Sequence, residues 1–316
     1  MARHSVFTKL GLVASLAGVV LAWPLESSEA SGWDGKWYSF ATNGSGFNIQ
    51  VAQASSPDGP WTWLDHDALP NSGSWTTNNN AWAPDVKRMP PASQSLFIMA
   101  YSGQLASNPD HHCVGIATSH SITGPYTPGN SPLICPDILT TGGAIDPSLY
   151  YDERNNKRYL VYKVDGSNLD VNGGCGSPGG TIHPTPIMLQ EMNVNDWTTP
   201  VGDPVQILDR TAADGTLIEA PYIIGTSDGH YILFYSSNCF TDPTYDVKYA
   251  VATSITGPYT RRGSLLTTGS YGLASPGGAS STPGGDVLVF HANCTVGRCL
   301  HTIDMSISGG VVTLKG

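Results

Sequence analysis

Apolar positions in this chain come in short runs rich in Val, Ile, Tyr, Phe and Trp, cut by Gly, Pro, Asn, Asp and Ser, with almost no 3.6-residue periodicity. Runs of that kind predict strands joined by turns. One aromatic–aliphatic run recurs at 36–42, 96–102, 158–163, 230–236 and 286–291. With Phe40, Tyr101, Tyr162, Tyr235 and Phe290 as markers, the steps are 61, 61, 73 and 55 residues. A second element follows most of these runs: Gly59-Pro-Trp, Gly124-Pro-Tyr, Asp196-Trp and Gly257-Pro-Tyr, which fit a turn into an outer strand. Five repeats of several short strands predict an all-β fold, a five-bladed β-propeller. A two-sheet sandwich needs fewer copies. No stretch rich in Pro, Ser or charge divides residues 23–316, which read as a single propeller domain.

Upstream of the markers lies a third repeat. Pro84, Pro147, Pro221 and Pro276 precede their markers by 17, 15, 14 and 14 residues. These segments are expected to be equivalent innermost strands, converging on a central channel. Three of them set an acid beside the proline: Asp85, Asp146 and Glu219. Glu219 is the sharpest case, because Leu217, Ile218, Ala220 and Pro221 surround it. A carboxylate in an apolar strand is neutral, paired or functional. Pro221 is expected to hold the residue before it extended.

Composition narrows the classes of function. The formal charge of −10 and pI of about 5.2 argue against nucleic acid or an anionic membrane as partner. Residues 1–22 have the form of a secretory leader, with Arg3, His4 and Lys9 ahead of the apolar run Leu10–Ala22. The mature protein is accordingly expected outside the cell, soluble and monomeric. Six cysteines suit that compartment. Many connectivities are open to six cysteines; proximity favours Cys294–Cys299 alone, and Cys113–Cys135 with Cys175–Cys239 is the pairing expected for the rest. There is no C-x-x-C, so a zinc site built from cysteines is not expected.

The motifs Trp82–Val86, Ile145–Ser148 and Ile218–Pro221, with Asp214-Gly, Tyr235–Asn238 and Tyr245–Ser254, resemble glycoside hydrolase family 43 over residues 33–300. That resemblance implies a five-bladed propeller that cleaves arabinose- or xylose-containing plant polysaccharides, such as arabinan and arabinoxylan, with inversion. It makes Glu219 the general acid and Asp146 the aspartate that orients it and raises its pKa. Trp82 would line the sugar subsite, with a core tryptophan as the plain alternative. Asp85, beyond its proline, is a weaker substrate contact. The segment Lys163–Asn168 either lines the cleft or forms a solvated loop.

Two departures stand out. The family's general base precedes a proline on the innermost strand of blade one, expected here at Trp23–Glu26, and no Asp precedes Pro24. Blade one therefore reads as incomplete. Glu26, Glu29 and Asp34 are the remaining candidates for the base. Three explanations stay open: a missing coding segment, a sugar-binding pseudoenzyme, or a different base. In blade five, relatives carry a histidine that helps hold an axial calcium or sodium ion. This chain has Gly278 there and His291 as the nearest substitute, so no metal or cofactor is assigned.

Overall fold

In the computed structural model, which describes residues 3–4, 19–22, 35–89, 96–169, 175 and 181–316, the strands form five antiparallel sheets. Blade one contains β2 (Val19–Ala22), β3 (Trp37–Ala41), β4 (Gln50–Ala54) and β5 (Thr62–Leu64). Blade two contains β6 (Trp82–Arg88), β7 (Phe97–Gln104), β8 (His112–Ser119) and β9 (Thr127–Pro128). Blade three contains β10 (Ala144–Asp152), β11 (Lys157–Val164), β12 (Ile187–Met192) and β13 (Pro200–Leu208). Blade four contains β14 (Ile218–Gly225), β15 (Tyr231–Ser237), β16 (Asp246–Ala252) and β17 (Thr260–Leu266). Blade five contains β18 (Gly277–Ser281), β19 (Val287–Cys294), β20 (Gly297–Ser308) and β21 (Val311–Lys315), and β1 (Arg3–His4) also pairs with β20. The first strands close a ring: β2 contacts β6, β6 contacts β10, β10 contacts β14, β14 contacts β18, and β18 contacts β2.

The hydrophobic repeat explains this ring. A four-stranded sheet has two apolar faces, and each must be covered by the next blade. The buried apolar side chains accordingly fall into five clusters, one at each seam between blades. The five markers all lie on second strands and are 0–3% exposed. The aromatic residue of the Gly-Pro element is buried ahead of the outer strand, as Trp61, Tyr126 and Tyr259, and Trp197 fills the same role in blade three. The three disulfides join Cys113 to Cys135, Cys175 to Cys239 and Cys294 to Cys299, the last being the pair that proximity suggested.

Blade one differs from the sequence reading. Its innermost strand is Val19–Ala22, not Trp23–Glu26, and it pairs from Val19↔Ala41 to Ala22↔Tyr38. An apolar run with an N–H at every position makes a better ladder strand than one interrupted by Pro24. Glu26, Glu29 and Asp34, the candidate bases, lie outside the described residues.

Candidate active site at the axial ring

Four innermost strands carry the same irregularity. The register slips between Trp82 and Asp85, Ile145 and Ser148, Glu219 and Tyr222, and Gly277 and Ser280. Within each bulge one residue has positive φ: Ala83 at 45°, Asp146 at 55°, Ala220 at 51° and Gly278 at 59°. Two expectations are corrected here. Pro221 does not hold Ala220 extended. The blade-five counterpart of Pro84, Pro147 and Pro221 is Ala279, not Pro276. Glycine reaches a left-handed conformation without a following proline, so the proline ceases to mark the bulge in that blade.

A left-handed non-glycine residue costs about 1–3 kcal/mol. Each bulge is held by a hydrogen bond from its own amide to the preceding blade. Ala83 N donates to Thr42 Oγ1 at 3.2 Å, Asp146 N to Ser102 Oγ at 3.0 Å, and Gly278 N to Ser236 Oγ at 2.8 Å. Ala220 N donates instead to Asp146 Oδ2 at 2.9 Å. The four bulge residues line a narrow axial cavity of about 30 Å³.

This geometry brings Asp146 and Glu219 together. Asp146 is 5% exposed and Glu219 4%. Burial, and then the charge of Glu219, push the Asp146 carboxyl up to about 7, against the pull of Lys163. Glu219 Oε2 lies 3.4 Å from Lys163 Nζ, while Oε1 is buried with no hydrogen-bond partner among the described residues. Trp82 occupies the pre-bulge slot of blade two, as Glu219 does in blade four. It is half-buried and stacks on His112 with ring centroids 3.5 Å apart. Burial brings the His112 imidazole down to about 4, so the ring that backs Trp82 is neutral near pH 7.

Asp85 is not part of this group. It lies on the far side of the bulge, 0% exposed. Its Oδ2 accepts from Leu149 N at 2.6 Å and its Oδ1 pairs with Lys87 Nζ at 3.2 Å. Lys87 also reaches Tyr222 OH at 3.2 Å, and Tyr222 OH donates to the Ser281 carbonyl. Asp85 thus ties the innermost strands of blades two, three, four and five together below the bulges. Asp214, another residue of the motifs, caps a turn through Thr211 and pairs with Lys248 at 3.0 Å.

Among the described residues, His291, the nearest substitute for an axial-ion ligand, is already engaged. A Cβ at Gly278 would lie 2.2 Å from His291 Nε2, so the imidazole already fills that space. His291 Nδ1 accepts from Arg298 Nε at 2.5 Å, which puts the ring proton on Nε2 and leaves no lone pair for a cation. Gly277, in the slot of Glu219, is equally constrained: its Cβ would meet the Tyr245 ring at 1.9 Å.

For Lys163 and Asp165 the sequence left two readings, a cleft lining and a solvated loop. They are not solvated: Lys163 is 1% and Asp165 6% exposed. Lys163 pairs with Ile145 in the register that sets Ser102 against Trp82 and Ser236 against Glu219, so an alignment of second strands would have found it. A roomier cavity of about 380 Å³ lies at the opposite ends of β10 and β14, beside Tyr150, Tyr222 and Lys87.

Residues 62–304 match the sequence profile of Glycosyl hydrolases family 43. A probable arabinan endo-1,5-alpha-L-arabinosidase A of Emericella nidulans is 25% identical over 83% of this chain and 71% of its own length. The arabinoxylan arabinofuranohydrolase of Bacillus subtilis is 25% identical over 65% of this chain, and the match spans 40% of that protein's length. The crystal structure of a thermostable family-43 glycoside hydrolase superposes with a TM-score of 0.74 at 24% identity, over 98% of this chain and 96% of that one.

Proposed function

Because the chain belongs to glycosyl hydrolases family 43, we propose that it hydrolyses α-L-arabinofuranosyl or β-xylosyl linkages in plant cell-wall polysaccharide. The observation that carries this reading is the buried pair of Asp146 and Glu219, with one Glu219 oxygen lacking a partner among the described residues. Relatives named as an arabinosidase and an arabinofuranohydrolase support the substrate class. Glu219 gives its proton to the glycosidic oxygen as the bond to the anomeric carbon breaks. A water attacks that carbon from the opposite face and loses its proton to a base, with inversion. Asp146 orients Glu219 across the blade seam, and Trp82 packs against the sugar. Three disulfides support a secreted protein.

A second reading rests on one observation. Val19 pairs with Ala41, the blade-one counterpart of the slot that Glu219 fills, and no residue of Val19–Ala22 is a carboxylate. A propeller with an acid and no base binds sugar and turns it over poorly. The test is hydrolysis of linear arabinan and of aryl arabinofuranosides and xylosides by the full chain, with Glu219→Gln as control and arabino-oligosaccharide binding followed by calorimetry. Turnover abolished by Glu219→Gln supports the hydrolase, and its further loss in Glu26→Gln or Glu29→Gln would identify the base. Binding without turnover supports the second reading.

A further inference from the structure

The second strands of blades two, three and four present Ser102, Lys163 and Ser236 at one register position. Both serines accept the bulge amide of the next blade. A lysine ammonium has three donors and no acceptor. The Ala220 amide therefore has no hydroxyl to meet in blade three, and Asp146 Oδ2 accepts it. The exchange of serine for lysine thus has two effects. It draws Asp146 to the backbone next to Glu219, and it brings a cation to the ring.

That cation is closely held. Lys163 Nζ lies 2.8 Å from Ser167 Oγ, 3.1 Å from Asp165 Oδ1 and 3.4 Å from Glu219 Oε2. Ser167 Oγ donates in turn to Asp165 Oδ1 at 2.8 Å, which fixes the turn at Gly166–Asn168. Three donors meet three acceptors, so the ammonium has no competing partner to turn towards. Burial works against its charge, but Asp165, Glu219 and Asp146 outweigh that and hold it protonated. The other Glu219 oxygen, Oε1, is buried and unpartnered among the described residues. An orphaned buried oxygen is costly unless it carries a proton or gains a partner.

We propose that Lys163 is the positioning residue of the proton donor: its ammonium occupies Oε2 of Glu219 and so assigns the transferable proton to Oε1. The proposal rests on Glu219 acting as the donor. The proton that leaves Oε1 ends on the departing alcohol, and the carboxylate left behind keeps its ion pair with Lys163, which stays an ammonium throughout. Asp146, Asp165, Glu219, His112, Tyr245 and Arg298 are ionisable groups that act on this cluster.

The test compares the full chain with Lys163→Gln and Lys163→Arg on aryl arabinofuranosides of graded leaving-group acidity. A misplaced proton matters most where the leaving group needs it. Lys163→Gln is expected to slow the least acidic phenol by about tenfold or more and 2,4-dinitrophenol by less than about threefold, within the 10²–10⁴-fold typical of a general acid. Lys163→Arg, which keeps the charge, is expected to restore most of the loss on the poor leaving group. Equal loss on all leaving groups, at unchanged thermal stability, would overturn the proposal. If Lys163→Gln does not fold, Lys163→Arg carries the test, and a steeper leaving-group dependence than wild type overturns it. A second readout needs no turnover. Carbon-13 NMR of the carboxyls should show Asp146 titrating higher in Lys163→Gln than in wild type, and an unmoved Asp146 overturns the proposal even in a chain without activity. Failure of the donor reading is seen separately, as a Glu219→Gln variant with no leaving-group dependence.

Discussion

Two buried carboxylates sit beside prolines on innermost strands, and they do different work. Asp85 follows Pro84 and faces the seam beneath the ring, where a lysine and a backbone amide occupy its two oxygens. Glu219 precedes Pro221 on the ring itself, and one of its oxygens has no partner among the described residues. Burial is nearly the same in the two cases, at 0% and 4% exposure. The contrast teaches that burial alone does not mark a catalytic acid. Asp85 has both oxygens satisfied and acts as a strut, whereas Glu219 keeps one oxygen unengaged among the described residues. The bulge decides between them, because it reverses the facing of the chain between the residue before it and the residue after it.

The contrast can be broken most sharply by exchanging effects. Glu219→Gln should lower turnover of linear arabinan by about 10²–10⁴-fold, the range for loss of a general acid, while leaving the urea unfolding midpoint nearly unchanged. Asp85→Ala should do the reverse. It leaves Lys87 without its carboxylate, a loss of about 3–5 kcal/mol in urea unfolding for a broken buried pair. Asp85→Ala with full stability, or Glu219→Gln with full turnover, would dissolve the distinction.

A smaller effect tests the ring through pH. In the folded state the Asp146 carboxyl titrates at about 7, against an ordinary value of 3.8, so between these values the folded chain holds a proton that the unfolded chain has released. Its contribution to stability is therefore present below pH about 4 and is lost as pH rises to about 7. Asp146→Asn should flatten that part of the pH dependence relative to wild type, as read from unfolding midpoints across the range. A slope unchanged by Asp146→Asn would show that the proton sits elsewhere. The smallest expected effect belongs to Trp82, at the same slot in blade two. Trp82→Ala should raise KM for arabino-oligosaccharides by roughly tenfold, about 1.4 kcal/mol, with little change in kcat.

Much of the ring was legible in the chain because each blade repeats the same local solution. The markers from Phe40 to Phe290 fall on second strands because the aromatic–aliphatic run is itself the buried strand. Asp146 and Glu219 stood out because an acid beside a repeated proline is visible without knowing what lies across the channel. Legibility ended where the local signal changed. In blade five Gly278 makes the bulge that a residue before proline makes elsewhere, so Pro276 gave a false alignment. In blade one the strand is Val19–Ala22, whose apolar run has the same appearance as the core of a leader. Asp85 was only a weak substrate contact in the sequence, because it lies beyond its proline, and its engagement with Lys87 and Leu149 became visible only in the structure.

The amino-acid sequence by itself determined the number of blades, their order and the two acids at the ring. These follow from patterns that repeat within a blade, where neighbours in sequence are neighbours in space. Only the tertiary structure decided the facing of each acid and the contacts of Lys163. Lys163 and Glu219 are separated by 56 residues and belong to different blades. Their contact exists because the seam between blades three and four brings β11 and β14 together, and no periodicity along the chain encodes a contact of that kind.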